Sequence, residues 1–335
     1  MRNTALNWVM SHKGAKMACA RNLSAFAAVI LGLGAGAGQA ETLKVLSFNI
    51  YGGGANDGKG IEETVAAIQA ANPDVIGLQE TRLELDPCEA DYCPATGPSV
   101  AKDIAKALGF YYYDQIQENP ALWANAILSR YPIGASSQND LGVSLDVNGK
   151  KVWVFNIHLD DAPYQPYQLL GIEYGAAPFI ATETEAVQFA NDTRGPAMDL
   201  LAADMAAAAD ADAVFVLGDF NEPSHHDWTA AAVAVGTHPV AVAWPTTLRL
   251  TNAGFIDTYR AIFPDPVAKP AFTWTPSYDE SATDDHPDRI DFVFAKGAGL
   301  VVTSAAILGE EGPRSDIAIT PWPLDHRASM AEVSF

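Results

Sequence analysis

The sequence predicts an α/β protein, and three observations predict it. Short apolar runs rich in β-branched and aromatic residues recur along the chain and read as buried strands. Helical patterns, Ile61-Val65-Ile68 and Ser99 to Leu108 among them, stand between those runs. Each run also ends in a carboxylate, a carboxamide or an imidazole, which a buried strand rarely does unless something polar must be held there. In an α/β protein the strand ends on one edge of the sheets converge on a crevice, so the pattern predicts a site along with a fold.

In chain order, Leu43 to Asn49 is a strand ending in Asn49, Asp74 to Glu80 a short strand ending in Glu80, and Val152 to His158 a strand ending in His158. Ala213 to Leu217 runs into Gly218-Asp219-Phe220-Asn221, which sets a carboxylate and a carboxamide two residues apart on one face of the strand end. Arg289 to Phe294 puts Asp291 on a strand, and Asp325-His326 follows a Pro-rich loop. Taken singly, each has a bland reading, such as an Asp capping a turn or an Asn in the left-handed region. Recurrence in one order along the chain is what carries the argument. Between the strands, Ala202 to Ala213 with Asp204, Asp210 and Asp212 predicts an amphipathic helix, and Ser224 predicts an N-cap for a helix around Trp228. Gly52-Gly53-Gly54 lacks the Lys-Ser/Thr of a phosphate-binding loop and reads as a flexible turn.

The set Phe48-Asn49, Leu78-Gln79-Glu80, Asn156-Ile157-His158-Leu159, Gly218-Asp219-Phe220-Asn221, Arg289-Ile290-Asp291 and Asp325-His326 resembles the endonuclease/exonuclease/phosphatase superfamily. Asn125 to Pro132 adds a minor match, and the resemblance spans Leu43 to Phe335. That group includes DNase I, the exonuclease III type of abasic endonuclease, bacterial sphingomyelinases and inositol polyphosphate 5-phosphatases. The resemblance implies a four-layer α/β sandwich, two packed mixed β-sheets flanked by helices, carrying a metal-dependent phosphoesterase. It leaves the substrate open.

Length and composition bound the rest. Site residues spread from Asn49 to His326 favour one catalytic domain over residues 41–335, since any cut between them would split the crevice. Residues 1–40 read as a signal peptide: Arg2, Lys13, Lys16 and Arg21 are basic, Leu23 to Gly36 is apolar, and Gly38-Gln39-Ala40 is a small-x-small cleavage site. The apolar run is shorter than the ~20 residues that span a bilayer, so a secreted or periplasmic protein is expected. Export makes a disulfide between Cys88 and Cys93 the expected state of that pair. The formal charge is −21, and without the four basic residues of the leader 16 Lys+Arg face 41 Asp+Glu, or −25. A protein that binds duplex DNA offers Lys and Arg to its phosphates. The acidity therefore disfavours nucleic acid and favours a small-molecule or lipid phosphate ester.

Chemistry assigns the roles. Cleaving a phosphoester requires charge on oxygen to be neutralised, a water to be activated and the leaving oxygen to be stabilised. Glu80 is the candidate ligand for Mg²⁺ (Mn²⁺ or Ca²⁺ being alternatives), with Asn49 and Asp325 beside it, because hard cations take oxygen donors. His326 is the candidate base, and the resemblance implies that Asp291 holds its other nitrogen. Asp219 is the alternative base, with His326 then gripping the phosphate. Asn221 can donate to a non-bridging oxygen, and His158 can hold the phosphate or protonate the leaving group. Tyr164 and Tyr167, in the loop Asp160 to Pro178, and His225 after the Asp-Phe-Asn motif are candidates for contact with substrate. The acidic loop Thr275 to Asp288 reads as solvated, with a second cation there the less favoured reading. Ile317 to Pro323 is a weak candidate for a membrane-facing hairpin. No coiled coil or apolar stripe is visible, so a monomer is expected. A secreted nuclease and a catalytically silent phospho-ligand binder are the two other function classes.

Overall fold

The first strand, β1 (Thr42–Asn49), is buried along nearly its whole length, and this decides the architecture. Leu43 and Val45 belong to one apolar cluster, whereas Leu46 and Phe48 belong to another on the opposite face. A strand buried on both faces needs a layer on each side. The computed structural model describes residues 40–84, 95–276 and 279–335, and within it residues 40–335 form one compact unit.

Two mixed sheets supply the inner layers. The first runs β12 (Ile317–Ala318), β11 (Val301–Gly309), β13 (Ala328–Ser334), β1, β2 (Val75–Gln79), β4 (Asn125–Ser129) and β3 (Tyr111–Gln115). The second runs β5 (Ile133–Ser136), β6 (Gly142–Val147), β7 (Lys150–His158), β8 (Ala213–Asp219), β10 (Asp291–Gly297) and β9 (Ile256–Asp257). Leu43, Val45, Val75 and Ile127 of the first sheet meet Val152, Val154, Phe215, Leu217 and Val293 of the second in the central core. Outside the first sheet, helices α1 (Glu62–Ala71) and α2 (Ala101–Leu108) lay Ile68 and Ile104 against Leu46, Phe48 and Ile76. Outside the second sheet, Ala197, Met198 and Leu201 of the helix Glu183–Asp204 cover Trp153, Phe155, Val216 and Phe294. This is the expected four-layer sandwich. Phe215 is fully buried between the sheets. Phe215→Ala should therefore cost about 3–5 kcal/mol in urea unfolding; a loss below about 1 kcal/mol would show that the two sheets are not tightly packed at that point.

Local departures from expectation have identifiable causes. Ala202 to Ala213 does not form a helix of its own: the long helix ends at Asp204, a short 3-10 turn follows, and Ala213 opens β8. The helix starts instead at Thr182, whose side chain accepts from the Glu185 N–H while the Glu185 carboxylate accepts from the Thr182 N–H. This reciprocal cap outweighs the alanine run. Ser224 caps a turn, not a helix, its hydroxyl accepting from the His226 N–H. The three glycines Gly52 to Gly54 are buried with φ of 68°, 70° and 93°, so the segment is a fixed turn and not a flexible one. Cys88, Cys93 and residues 1–39 lie outside the described residues. No helix among the described residues is long and apolar enough to cross a membrane.

Candidate active site

Parallel and antiparallel pairing together explain why the polar strand ends meet. β1 pairs parallel with β2, and β7 parallel with β8, so Asn49, Glu80, His158 and Asp219 stand at or just beyond C-terminal ends. β10 and β13 run antiparallel to β8 and β1, which brings their N-terminal ends, Asp291 and the residues just before Ala328, to the same edge. In register, Asp219 pairs with His158 on one side and with Asp291 on the other.

Local backbone geometry then aims each side chain. Gly218 is required by close approach, since a Cβ there would lie 2.2 Å from the Ile157 carbonyl oxygen. Phe220 turns inward against Phe292 and Phe294, so Asp219 and Asn221 are left at the edge. Asn221 adopts φ 46° and its N–H donates to Asp219 Oδ1 at 2.9 Å. Glu80 adopts φ 54°, and its carbonyl accepts from the Gly52 N–H at 2.7 Å. The glycine turn thus supports Glu80, and its amides point inward instead of cradling a phosphate.

The cluster is tight. Asn49 Nδ2 donates to Glu80 Oε1 at 2.7 Å and to Asp219 Oδ2 at 3.0 Å, and lies 3.5 Å from His326 Nε2. His326 Nδ1 is 3.0 Å from Asp291 Oδ2, and its Nε2 is 3.7 Å from Asp219 Oδ2. His158 Nε2 lies 3.7 Å from the same Asp219 oxygen, 4.0 Å from Glu80 Oε1 and 3.2 Å from Asn221 Nδ2. Of the residues the sequence singles out, Asn49, Glu80, His158, Asp219, Asn221, Asp291 and His326 are therefore brought together. Asp325 joins them electrostatically, as the leading charge that raises Glu80.

Burial and like charge set the electrostatics. Burial, then Asp325, push the Glu80 carboxyl well above the ordinary carboxylate range. Burial also pushes Asp291 up to about 6 against the pull of His326. For His326, burial by itself would lower the imidazole, but Asp291 and Asp219 more than offset it and hold the ring well above its usual value. The cluster carries more negative charge than its imidazoles can neutralise. Glu80 Oε2 and Asp325 Oδ1 are buried with no hydrogen-bond partner, and donor atoms of Glu80, Asp219 and His326 all lie within 4.8 Å of one another. Orphaned carboxylate oxygens facing an acidic cluster fit a hard divalent cation held by Glu80 and Asp325, with Asn49 alongside.

Three expected substrate contacts stand elsewhere. Tyr164 and Tyr167 are buried, their hydroxyls donating to Asp288 (2.8 Å) and Asp285, so they anchor the acidic loop to the interior and do not cover the mouth. Asp285 and Asp288 are themselves buried, so that part of the loop is not solvated. His225 pairs with Thr247 and lines a separate cleft with His226, Thr251, Phe255 and Asp257. Ile319 and Trp322 pack against the core cluster behind the first sheet, which ties the proposed membrane hairpin down.

Supporting residues escaped the sequence reading. The Thr273 hydroxyl accepts from the N–H groups of Ile290 and Asp291, and Ser329 Oγ donates to the Asp291 carbonyl. Trp322 Nε1 donates to the His326 carbonyl, and the Trp123 carbonyl lies 3.4 Å from His158 Nδ1. Asn156 joins the sheets behind the site, donating to the Leu78 carbonyl and accepting from Gln79. Apart from Asn156, which the ordered motifs include without assigning it a role, none has a local sequence signal beyond proximity to a motif.

Comparison with known proteins gives one consistent picture. The model of the endonuclease/exonuclease/phosphatase family matches residues 46–326. An uncharacterized protein of Caenorhabditis elegans is 26% identical over 313 residues, covering 88% of this chain and 91% of that one. An endonuclease/exonuclease/phosphatase from Beutenbergia cavernae superposes with a TM-score of 0.50 at 18% identity, over 87% of this chain and 71% of that one. The 3′ phosphatase NExo from Neisseria, solved with product DNA hairpin, gives a TM-score of 0.50 at 15% identity, over 86% and 98% of the two chains. At these identities the two structures speak to the fold alone.

Proposed function

The chain belongs to the endonuclease/exonuclease/phosphatase family, and from that premise we propose that it is an exported, Mg²⁺-dependent hydrolase of a small or lipid phosphate ester. Members of the family are hydrolytic phosphoesterases that typically depend on a divalent metal. The observation that carries the reading is the geometry around Asp219 Oδ2: two imidazoles stand 3.7 Å away and the Asn49 amide donates to it at 3.0 Å. A buried carboxylate placed between two imidazoles is built to exchange a proton.

The roles follow from partners. His326 has a carboxylate beyond each ring nitrogen, Asp291 at Nδ1 and Asp219 at Nε2, which is the arrangement of an imidazolium. Its Nε2–H then holds a phosphoryl oxygen, while Asp219 takes the proton of the attacking water. Asp291, fully buried, keeps the ring oriented. His158, held near Asn221 and the Trp123 carbonyl, faces the leaving oxygen and supplies its proton. Asn221 donates to a non-bridging oxygen where charge grows in the transition state. A divalent ion held by Glu80 and Asp325 would neutralise phosphoryl charge and lower the pKa of a bound water. Asn49, whose Nδ2 donates to Glu80 and whose Oδ1 accepts from the Tyr51 N–H, would orient the Glu80 carboxylate instead of ligating the ion.

Substrate class rests on charge. Tyr51 beside the site is pushed up to about 12 by burial and by Glu84, Asp325, Glu80 and Asp57, so the local field is negative as well as the total of −21. A polyanion gains nothing from such a field. Export rests on the basic and apolar leader in residues 1–40.

Hydrolysis of bis(p-nitrophenyl) phosphate, p-nitrophenyl phosphate, sphingomyelin and plasmid DNA, with Mg²⁺ and with EDTA, tests the reading. Cleavage of the small or lipid esters with intact plasmid is the expected result; efficient plasmid nicking would hand the assignment to a nuclease. EDTA should abolish turnover, and Glu80→Gln should raise the Mg²⁺ concentration needed for half-maximal rate by about 10- to 100-fold. An unchanged Mg²⁺ requirement in Glu80→Gln would remove Glu80 from the metal site.

A further inference from the structure

Two histidines outside the strand-end cluster face each other in a way the hydrolase reading leaves unused. His238 Nδ1 lies 3.1 Å from His286 Nε2, and donor atoms of His238, His286 and Asp288 lie within 4.8 Å of one another. His238 sits between the helices Ala230–Ala234 and Pro245–Asn252, whereas His286 and Asp288 precede β10. We propose that His238, His286 and Asp288 form a second metal site, selective for Zn²⁺, which staples the segment around His238 to the segment that leads into β10.

The donor set and spacing point to zinc. Two imidazole nitrogens bound tetrahedrally at about 2.0–2.1 Å stand about 3.3 Å apart, close to the observed 3.1 Å. A His₂-carboxylate set with room for a water or a fourth donor suits Zn²⁺, whereas Mg²⁺ and Ca²⁺ select oxygen-only surroundings such as those of Glu80 and Asp325. The two sites would thus take different ions from one solution.

The outer shell is already built. His238 stacks on the Trp228 indole with ring centroids 4.2 Å apart and 12° between planes, which fixes the orientation of its ring. Asp288 accepts from Trp228 Nε1 on one oxygen and from Tyr164 Oη on the other, both at 2.8 Å, which positions the carboxylate and leaves lone pairs free for a metal. The backbone N–H of His286 donates to Asp285 Oδ1 at 2.7 Å, and that carboxylate also accepts from Tyr167, which fixes the main chain that carries the imidazole. The two bonds to Asp288 are of the kind that orient metal-ligating carboxylates. Burial lowers both imidazoles and raises the Asp288 carboxyl, so the rings offer neutral nitrogens and a metal would displace the carboxyl proton.

The staple would steady the active site from behind. The Trp274 backbone bridges to both Asp288 and His326, and β10 begins at Asp291 shortly after Asp288. Its role is positioning, because none of its three ligands touches the catalytic cluster.

The test uses the full chain in a Glu80→Gln/His326→Gln background, which disables the catalytic cluster as a competing metal site. After dialysis against EDTA, Zn²⁺ is added and excess removed by gel filtration, and Co²⁺ is titrated in parallel. We expect about one equivalent of Zn²⁺ to be retained per chain and the intense visible absorption of tetrahedral Co²⁺ to appear. Adding His286→Gln should abolish both while the far-ultraviolet circular dichroism is unchanged, and His238→Gln should do the same independently. No retained Zn²⁺, or only the weak absorption of octahedral Co²⁺, overturns the proposal and leaves a simple imidazole–imidazole hydrogen bond. Retention unaffected by both histidine variants also overturns it. The two histidine variants are independent, so either one that keeps its circular dichroism suffices to assign the absorption to this site.

Discussion

Replacing His326 by glutamine should lower phosphoester turnover about 10²- to 10⁴-fold, the range by which a positioned proton-handling or charge-bearing group speeds such reactions. Glutamine keeps a hydrogen-bonding end near Asp291 and fills most of the ring volume, so the folded state should survive. The variant removes the charge that Asp291 and Asp219 flank at 3.0 and 3.7 Å. Asp219→Asn should fall in the same range, and the double variant should be little worse than either single one, because the two groups act as a unit. Steady-state kinetics on bis(p-nitrophenyl) phosphate would check this. Losses that multiply in the double variant would mean that His326 and Asp219 act in separate steps, and full activity in either single variant would remove that residue from the mechanism.

An effect on stability as large as that of Phe215→Ala is expected at Arg289, next to the site in sequence yet outside its chemistry. Its guanidinium donates to Asp227 at 2.8 and 3.2 Å and to Asp257 at 2.9 and 2.7 Å, and Arg260 donates to the same Asp227 at 2.6 Å. All four residues are buried. Taking Arg289 away leaves two interior carboxylates with one cation, so Arg289→Ala should cost about 3–5 kcal/mol. The pH dependence has a definite sign. Burial by itself would raise Asp257, but Arg289 more than offsets it and holds the carboxyl below its ordinary value. A group with a folded pKa below its unfolded one stabilises fully above the unfolded value, about 3.9, and loses that contribution as pH falls through the folded value. Wild-type stability from this pair should therefore decline only below about pH 4, and that acid limb should be missing in Arg289→Ala. Urea denaturation at several pH values measures both. A cost below about 1 kcal/mol would show that the network is stably replaced by water.

How far the sequence could be read is a matter of which signals are local. Asp219 and Asn221 were legible because a strand five apolar residues long announces its own end, and the same holds for Asn49, Glu80 and His158. The sandwich was legible through the resemblance that the ordered motifs carry, and the burial of Leu43-Val45 and Leu46-Phe48 on opposite faces of β1 is the physical reason it holds. Tyr164 and Tyr167 were misplaced because an aromatic loop reads alike whether its rings face solvent or the interior. Their partners, Asp288 and Asp285, lie more than a hundred residues onward and only folding joins them. The long helix was misplaced by weighting the alanines over the Thr182–Glu185 cap, a signal that was present and local. Thr273, Ser329 and Trp322 hold Asp291 and His326 through single hydrogen bonds that no periodicity encodes.

β13 lies between β1 and β11 and follows every other described strand in the chain, with His326 just ahead of it. The centre of the first sheet therefore cannot close until the last strand arrives to pair with the first. A nascent chain still being synthesised holds Asn49, Glu80 and Asp219 but not yet His326, and its β1 has an open edge. Catalytic competence would be gained in one late step, after synthesis has run past the final strand. That order of assembly is a built-in delay: until the last of these strands docks, the parts of the cluster exist without the frame that holds them together.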